Sequence, residues 1–495
     1  MIKKILYSFG IVLILTTKPC VAQPIDLANA VVKIFVSANR NDFYQPWQSF
    51  GVESYTASGF VIKGNKILTN AHVVSDQTFI QIKKYGDPKT YIAQLEATSH
   101  DCDLALLSVK DPGFFKNIKP LEFDNLPKLQ DAVTVIGYPE GGEKLSITQG
   151  VVSRIEVVPY AQSGRNLLGV QIDAPINPGN SGGPVLIGDK VVGVAMQTLS
   201  SGQNIGYIIP IPIIEHFLTD LNDKSPGQGF PILGINFNNT ENTTLRHYYG
   251  IENYDGGVLI SGVSPFSPAD GKLKNEDVIL EVDGIKIGED GTFIFRNTER
   301  MSLDYLIAKK FIDDKITLKI IRNKKPQTLE ITLHQFKPLV PNPKYYNKPL
   351  YYIYGGFVFT VLSSDLIESW SQKGSDQQPP LDFAYYLIGK GTLNSDRKTD
   401  IVVFLNVLPD DVNVGYHQYG NDIVSKINGQ SFNSFKDFVN LLETIKVKEP
   451  YTILETERNL KIIIDNHDLN KIDDAIIKRN NIPRRYSEDV EKLLK

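Results

Sequence analysis

The sequence predicts a mainly β protein of about three domains, with an antiparallel barrel architecture in its N-terminal half. Three observations carry that reading. Short β-branched and apolar segments recur between Gly, Asn and Asp turns from residue 28 to about residue 196. At 495 residues the chain is too long for one hydrophobic core. The stretch 277–284, Asp-Val-Ile-Leu-Glu-Val-Asp-Gly, returns at 422–429 as Asp-Ile-Val-Ser-Lys-Ile-Asn-Gly, a weak internal repeat in the C-terminal half.

Composition narrows the function classes. Apolar residues make up 42% and charged residues 22%, ordinary values for soluble globular domains. A net charge of −4 supplies no basic field for nucleic acid or an anionic membrane surface. Residues 1–22 read as a signal peptide: Lys3 and Lys4 precede an apolar run from Ile5 to Leu15, and Cys20-Val21-Ala22 supplies small residues before Gln23. That run is about half of the ~20 residues a membrane span needs. Export across the inner membrane, to the periplasm, is the expected location. Removing Lys3, Lys4 and Lys18 takes the charge from −4 to −7. Only Cys102 then remains, so no intrachain disulfide is available and the core alone must hold the fold.

In chain order, residues 28–36 predict an opening strand, followed by a polar and aromatic loop to about Ala57. Gly59-Phe60-Val61-Ile62 and Lys66-Ile67-Leu68-Thr69 flank Lys63-Gly64-Asn65, a hairpin signal. His72 follows the second of these strands in Thr69-Asn70-Ala71-His72-Val73-Val74, where a side chain is held rigidly at a cleft edge. Strands follow at 79–84 and 91–98. His100-Asp101-Cys102-Asp103 then leads into Leu104-Ala105-Leu106-Leu107, apolar on both faces. Asp103 stands at the mouth of this buried strand, where an unpaired carboxylate is costly. Accepting the Nδ1–H of an imidazole removes that cost and fixes the tautomer. Asp101 competes for the same role.

Strands at 132–137, 145–155 and 167–172 bring the chain to Asp173-Ala-Pro-Ile-Asn-Pro-Gly-Asn-Ser-Gly-Gly-Pro184. Glycines at −2, +1 and +2 from Ser181 suit an irregular turn rather than a helix or strand interior. In such a turn the N–H groups of Gly179 and Ser181 can converge on the oxyanion of an acyl-transfer intermediate, with Asn180 shaping the loop. A hairpin through Gly188-Asp189 then joins 184–187 to 191–196.

Thr-Asn-Ala-His-Val-Val, Asp-Leu-Ala-Leu-Leu and Gly-Asn-Ser-Gly-Gly-Pro, followed by Asn204-Ile205-Gly206-Tyr207-Ile208-Ile209-Pro210, resemble the HtrA/Deg serine proteases. The order His72, Asp103, Ser181 is that of chymotrypsin-type enzymes. The resemblance implies a chymotrypsin-like double β-barrel protease domain over 24–225, followed by two PDZ-like α+β domains. It also implies a trimer or a multiple of trimers. In such folds the pocket before the scissile bond is walled by the segment ahead of the nucleophile and by the following hairpin. Here that assigns Pro175, Ile176, Ile205 and Tyr207. Pro175 stands where a trypsin-like enzyme carries a carboxylate.

A polar linker at 220–229 precedes Phe230-Pro-Ile-Leu-Gly-Ile-Asn-Phe237, which resembles the carboxylate-binding loop and groove strand of a PDZ domain spanning 229–335. Leu233, Gly234 and Ile235 are expected to receive a peptide's C-terminal carboxylate. A second linker (337–348) leads to a divergent PDZ-like domain at 349–465. There Gly356-Phe357-Val358-Phe359 resembles the same loop, and a long insertion (about 365–400) leaves its peptide binding open. The layout looks most like the plant-type Deg branch. Residues 466–495 form a charged tail, expected as a surface helix or partly ordered end.

The implied activity is ATP-independent serine endopeptidase action on unfolded or damaged polypeptides, with Ser181 as nucleophile, His72 as general base and then acid, and Asp103 orienting it. Neither metal nor cofactor is implied. The rival class is a latent or inactive protease serving as chaperone or PDZ scaffold.

Overall fold

The computed structural model describes residues 27–142, 144–198, 205–222, 227–343, 345–372, 378–388 and 396–494. The expected signal peptide and Asn204 lie outside them.

Strands β1 (Val31–Asn41), β2 (Ser49–Ile62), β3 (Lys66–Thr69), β4 (Gln77–Lys84), β5 (Thr90–Ser99) and β6 (Leu104–Val109) close into a barrel in the order β1-β2-β3-β6-β5-β4. Val32, Ile34, Val36, Phe60, Ile67 and Leu107 are buried in it. The predicted hairpin turn is present, with Gly64 (φ 85°) and Asn65 (φ 57°) in the left-handed region that Gly and Asn tolerate. β2 begins at Ser49, well before the expected Ala57. Ser49–Ser54 are exposed on both faces, so the short alternation of Phe50 and Val52 buries nothing there. Their pairing with β1, Ser37 opposite Ser54 and Ala38 opposite Glu53, does the work instead.

A second sheet holds β7 (Glu122–Phe123), β8 (Ala132–Gly137), β9 (Ser146–Pro159), β10 (Asn166–Ile172), β11 (Pro184–Ile187), β12 (Lys190–Thr198) and β13 (Gly206–Pro210). The path β11-β8-β9-β10-β13-β12 closes through β11–β12, and β7 adds outside in parallel to β12. This is the second six-stranded barrel of the chymotrypsin fold. Val135, Val152, Val170, Ala174, Ile176 and Ile208 belong to its core.

Helix α1 (Ile211–Asp220) leads to the first PDZ-like unit. His216 on α1 is sandwiched between Phe230 (ring centroids 4.0 Å apart) and Phe311 (4.2 Å), and its Nε2–H donates to the Lys310 carbonyl at 2.9 Å. The unit comprises β14 (Ile235–Asn238), helix α2 (Thr243–Tyr249), β15 (Val258–Val263), β16 (Val278–Val282), β17 (Ile285–Lys286), the hairpin β18 (Thr292–Arg296) and β19 (Glu299–Ser302), helix α3 (Asp304–Ala308), β20 (Lys315–Arg322) and β21 (Lys325–Thr332). Its sheet runs β14-β15-β16-β20-β21, leaving β14 on the edge.

The second unit orders β22 (Tyr351–Tyr354), β23 (Phe357–Val361), β24 (Val402–Val407), β25 (Asp422–Ile427), β26 (Tyr451–Thr456) and β27 (Lys461–Asp465) consecutively. The insertion carries helices α4 (Ser364–Gln372) and α5 (Leu381–Ile388), and α6 (Phe435–Lys448) covers the sheet. The segment expected as a charged tail instead folds onto this unit as α7 (Leu469–Arg479) and α8 (Glu488–Leu494). Leu469, Ile476, Ile482 and Val490 are buried there. Four apolar residues among many charges are enough to make one buried face.

This second unit sits against the first barrel. In the turn after β1, Tyr44 meets Trp370 edge-on at 5.5 Å and Trp47 meets Tyr351 at 5.8 Å. The linker between the two PDZ-like units crosses the same region. Tyr345 stacks on His100 at 3.9 Å, and the Tyr346 hydroxyl donates to the Val74 carbonyl. Among the described residues no helix is long and apolar enough to cross a membrane.

Candidate active site

One wall of the cleft comes from the first barrel. β3 ends at Thr69, and the chain turns through Asn70 and Ala71, both fully buried, into a single 3-10 turn at His72–Val74. Asp103 precedes β6 with φ 55°, a conformation Asp accepts more readily than most residues. Its carboxylate is fully buried and meets His72 twice: Oδ1 accepts the His72 backbone N–H at 2.8 Å, and Oδ2 lies 2.7 Å from Nδ1. The Asn70 side-chain amide donates to the Asp103 carbonyl at 2.9 Å and fixes the loop that carries it. Asp101 is engaged elsewhere: it accepts the Phe230 N–H at 3.4 Å and lies 3.6 Å from Arg165 Nε. Of the two rival acids, only Asp103 reaches the imidazole.

The second wall is the glycine loop. Gly179 has φ 92°, and a Cβ there would come within 2.5 Å of both the Glu140 nitrogen and the Tyr138 carbonyl oxygen. Gly182 has φ 82°, and a Cβ would come within 2.2 Å of Ser58 O and Thr69 Oγ1. Any side chain at either position would push the turn away from its supports. The carbonyl of Pro178 accepts the Glu140 N–H at 2.8 Å. The N–H groups of Gly179 and Ser181 donate to no group among the described residues, as an oxyanion site requires. Asn180 stands between these two donors and holds the loop in shape. Its N–H is spent on Asn177 O at 3.0 Å and its carbonyl accepts from Gly183 N at 2.9 Å, so its backbone shapes the turn and offers no N–H to an oxyanion.

The Ser181 hydroxyl donates to the Met196 carbonyl at 3.3 Å, and no hydrogen bond joins it to His72 among the described residues. Long or displaced contacts of this kind are common in ligand-free acyl-transfer sites. Beside His72 lies a cavity of about 130 Å³, bordered by Arg40 and Asp76 of the first barrel and by Tyr345 and Asn347 of the linker. Burial lowers the His100 imidazole to about 4, against the opposing pull of Asp103 and Asp101. The buried Cys102 thiol is pushed up.

The four residues expected to line the substrate pocket divide by strand parity. A Cβ on Gly206 would lie 2.6 Å from Ile176 Cδ1, so the Ile176 side chain rests directly over that glycine. Ile208, two residues on, packs in the same cluster as Ile176. Tyr207 faces the other way, its hydroxyl 3.4 Å from both Glu156 and Gln171. Alternation along a strand puts Tyr207 away from Ile176. Pro175 has its carbonyl bonded by Thr148 Oγ1 at 3.2 Å, and Ile205 is half-buried at the start of β13.

In the first PDZ-like unit the loop before β14 has Gly234 at φ 77°, and the N–H groups of Leu233 and Gly234 donate to nothing among the described residues. Leu233 is buried, and Ile235 opens the edge strand opposite Val263. The loop, Ile307 and Ala308 line a cavity of about 720 Å³. The second unit is different. β23 has β22 on one side and β24 on the other, so the edge where a peptide would add is already filled. The Gly356 N–H is taken by the Asp473 carboxylate of α7 at 3.2 Å. Among the described residues no group of three or more His, Cys, Asp and Glu side chains is placed to hold a metal ion.

Sequence reasoning missed Asn70 and Ser58, both in contact with the site. Asn70 was within reach because it lies inside the motif that carries His72. Nothing local marked Ser58.

Family profiles match three parts of the chain: a trypsin-like peptidase domain at 57–194, a PDZ domain at 231–333 and another PDZ domain at 340–489. The Arabidopsis thaliana protein named Protease Do-like 4, mitochondrial, is 38% identical over 447 residues, covering 90% of this chain and 82% of its own length. Protease Do-like 2, chloroplastic, of the same organism is 37% identical over 477 residues, covering 96% and 77%. A solved HtrA-type protease with a decapeptide shares the fold at a TM-score of 0.51 and 22% identity, over 64% of this chain and 97% of its own.

Proposed function

The chain belongs to the HtrA/Deg family of serine proteases, a trypsin-like domain followed by two PDZ domains, and we propose that it degrades unfolded or damaged polypeptides without ATP, through an acyl-enzyme formed on Ser181. The observation that carries the reading is the pairing of a buried, imidazole-bound Asp103 with a glycine loop whose Gly179 and Ser181 N–H groups donate to nothing among the described residues. His72 takes the Ser181 proton as Oγ attacks the scissile carbonyl, and the two N–H groups receive the oxyanion. His72 then protonates the leaving amine, and water repeats the sequence to release the acid.

Ile176 lies against Gly206 and would shorten the pocket assigned to the residue before the cut, favouring small or medium apolar side chains there. The open groove of the first PDZ domain takes apolar C-terminal peptides and delivers their chains to the cleft. Export to the periplasm is supported by the charge and apolar pattern of residues 1–22. A trimer, or a multiple of one, follows from the family resemblance.

A second reading, a latent protease acting as chaperone or scaffold, is favoured by the Ser181 hydroxyl lying on Met196 O instead of His72. Casein digestion separates the two. Digestion by the wild-type chain but not by Ser181→Ala supports the endopeptidase; equal inertness of both supports the scaffold.

A further inference from the structure

Ser58 sits on β2 in the first barrel, yet its polar groups serve the nucleophile loop of the second. It is fully buried. Its backbone N–H donates to the Ser181 carbonyl at 3.0 Å. Its hydroxyl donates to the Gly179 carbonyl at 2.7 Å and accepts the Tyr138 N–H at 2.8 Å. Two residues beyond Tyr138, the Glu140 N–H holds the Pro178 carbonyl. The peptide unit is planar, so fixing the Pro178 carbonyl also fixes the direction of the Gly179 N–H on the opposite side of that bond. A single hydroxyl therefore joins the glycine loop to the segment that aims the Gly179 N–H, which donates to nothing among the described residues.

Ser58 is itself held from two sides. Thr69 Oγ1 donates to its carbonyl at 2.8 Å. A Cβ on Gly137 would come 2.9 Å from its hydroxyl oxygen, so the hydroxyl fits only against a bare glycine.

We propose that Ser58 is a positioning residue for the oxyanion hole, acting through Gly179 and the Tyr138–Glu140 segment. The inference rests on the acyl-transfer reading above. Without the hydroxyl, the Gly179 carbonyl and the Tyr138 N–H become buried groups that have lost a partner. The loop then recovers hydrogen bonds by rotating about Gly179, whose missing Cβ makes other conformations accessible. That rotation turns the donors away from the oxyanion. Ser58 touches no substrate in this scheme, so its loss acts on the transition state and not on ground-state binding.

The test uses the full chain as wild type, Ser181→Ala, Ser58→Ala and the nearly isosteric Ser58→Cys, each checked for folding by thermal melting. Turnover is followed on a fluorogenic peptide with valine before the scissile bond, together with inhibition by the matching peptide boronate, which occupies the oxyanion hole as a tetrahedral adduct. The expected result for a folded Ser58 variant is a roughly 10–100-fold fall in kcat with KM changed by less than about threefold. The boronate affinity falls in step with kcat/KM. A folded variant that keeps kcat within about threefold, or that raises KM at unchanged kcat, overturns the proposal. So does failure of both variants to fold, which would make Ser58 a folding residue only. A wild type no faster than Ser181→Ala overturns the protease reading, and the role of Ser58 with it.

Discussion

Asp103 holds His72 by two atoms at once, Oδ1 on its backbone N–H at 2.8 Å and Oδ2 beside its Nδ1 at 2.7 Å. The first contact fixes where the residue sits; the second fixes which ring nitrogen carries the proton. A carboxylate does both because it only accepts hydrogen bonds, whereas an amide in its place offers one acceptor and one donor.

Asp103→Asn is therefore expected to keep the backbone contact and lose the tautomer. Its kcat should fall on the order of 10³–10⁴-fold, by analogy with other triads. Ser181→Ala and His72→Ala should each abolish measurable turnover, since such residues fail as a unit. Asp101→Asn should leave kcat near the wild-type value, because Asp101 is bonded to Phe230 and Arg165. Peptide hydrolysis by the four variants checks the assignment; a crippled Asp101→Asn with an active Asp103→Asn would reverse it.

Cut sites in casein or reduced lysozyme, mapped by mass spectrometry, should lie mostly after Val, Ala, Leu or Ile. None of the residues expected to line the pocket is an acid, so a buried Lys or Arg would go unpaired at a desolvation cost of several kcal/mol. Ile176→Ala removes the side chain over Gly206, and cuts after Phe and Tyr should then rise. The same change empties part of the second barrel's core and should cost about 2–4 kcal/mol of stability. A wild-type majority of cuts after Lys or Arg contradicts this pocket.

Calorimetry on the Ser181→Ala chain should find one peptide site, in the first PDZ domain. A peptide with an apolar C-terminal residue should bind as the free acid and lose most of its affinity when amidated, because the Leu233 and Gly234 N–H groups donate to nothing among the described residues. Gly234→Ala should abolish binding, since a Cβ there would come 2.2 Å from that of Ser267. No second site is expected even in Asp473→Asn, because β22 still covers the edge of β23. Two sites per chain would refute this.

Acid should loosen the strap between the PDZ domains. His100 lies under Tyr345, and burial holds its imidazole at about 4, below the ordinary value of 6.5. The unfolded or undocked chain therefore binds the proton first. Stability is fully present above about pH 6.5 and is lost as the pH falls toward about 4. His216 shifts in the same direction for the same reason. His100→Phe keeps an aromatic face and removes the titration, so its melting temperature should decline less between pH 6.5 and 4. Identical pH profiles for variant and wild type would exclude His100 as the source.

Much of the site was legible because its requirements are local. The left-handed turns at Gly179 and Gly182 need glycine wherever the loop packs, and an acid ahead of an apolar run needs a partner whatever that partner is. The strands at 132–137 and 184–187 showed their bounds because turn residues cut them off from polar neighbours. The remainder depended on residues far apart in the chain. Ser58 and Gly179 are 121 positions apart, and neither carries a mark of the other. Tyr207 points toward Gln171 because the register of β13 against β10 sets the two opposite each other, a choice made by pairing and not by residue type. Leu469, Ile476 and Val490 read as scattered apolar residues in a charged tail until α7 packs on β22 and α8 on α6. The closed second PDZ groove has the same origin. A short turn at Gly355-Gly356 let β22 fold back on β23, and the buried Asp473 carboxylate found its donor only after the end of the chain had packed against that turn.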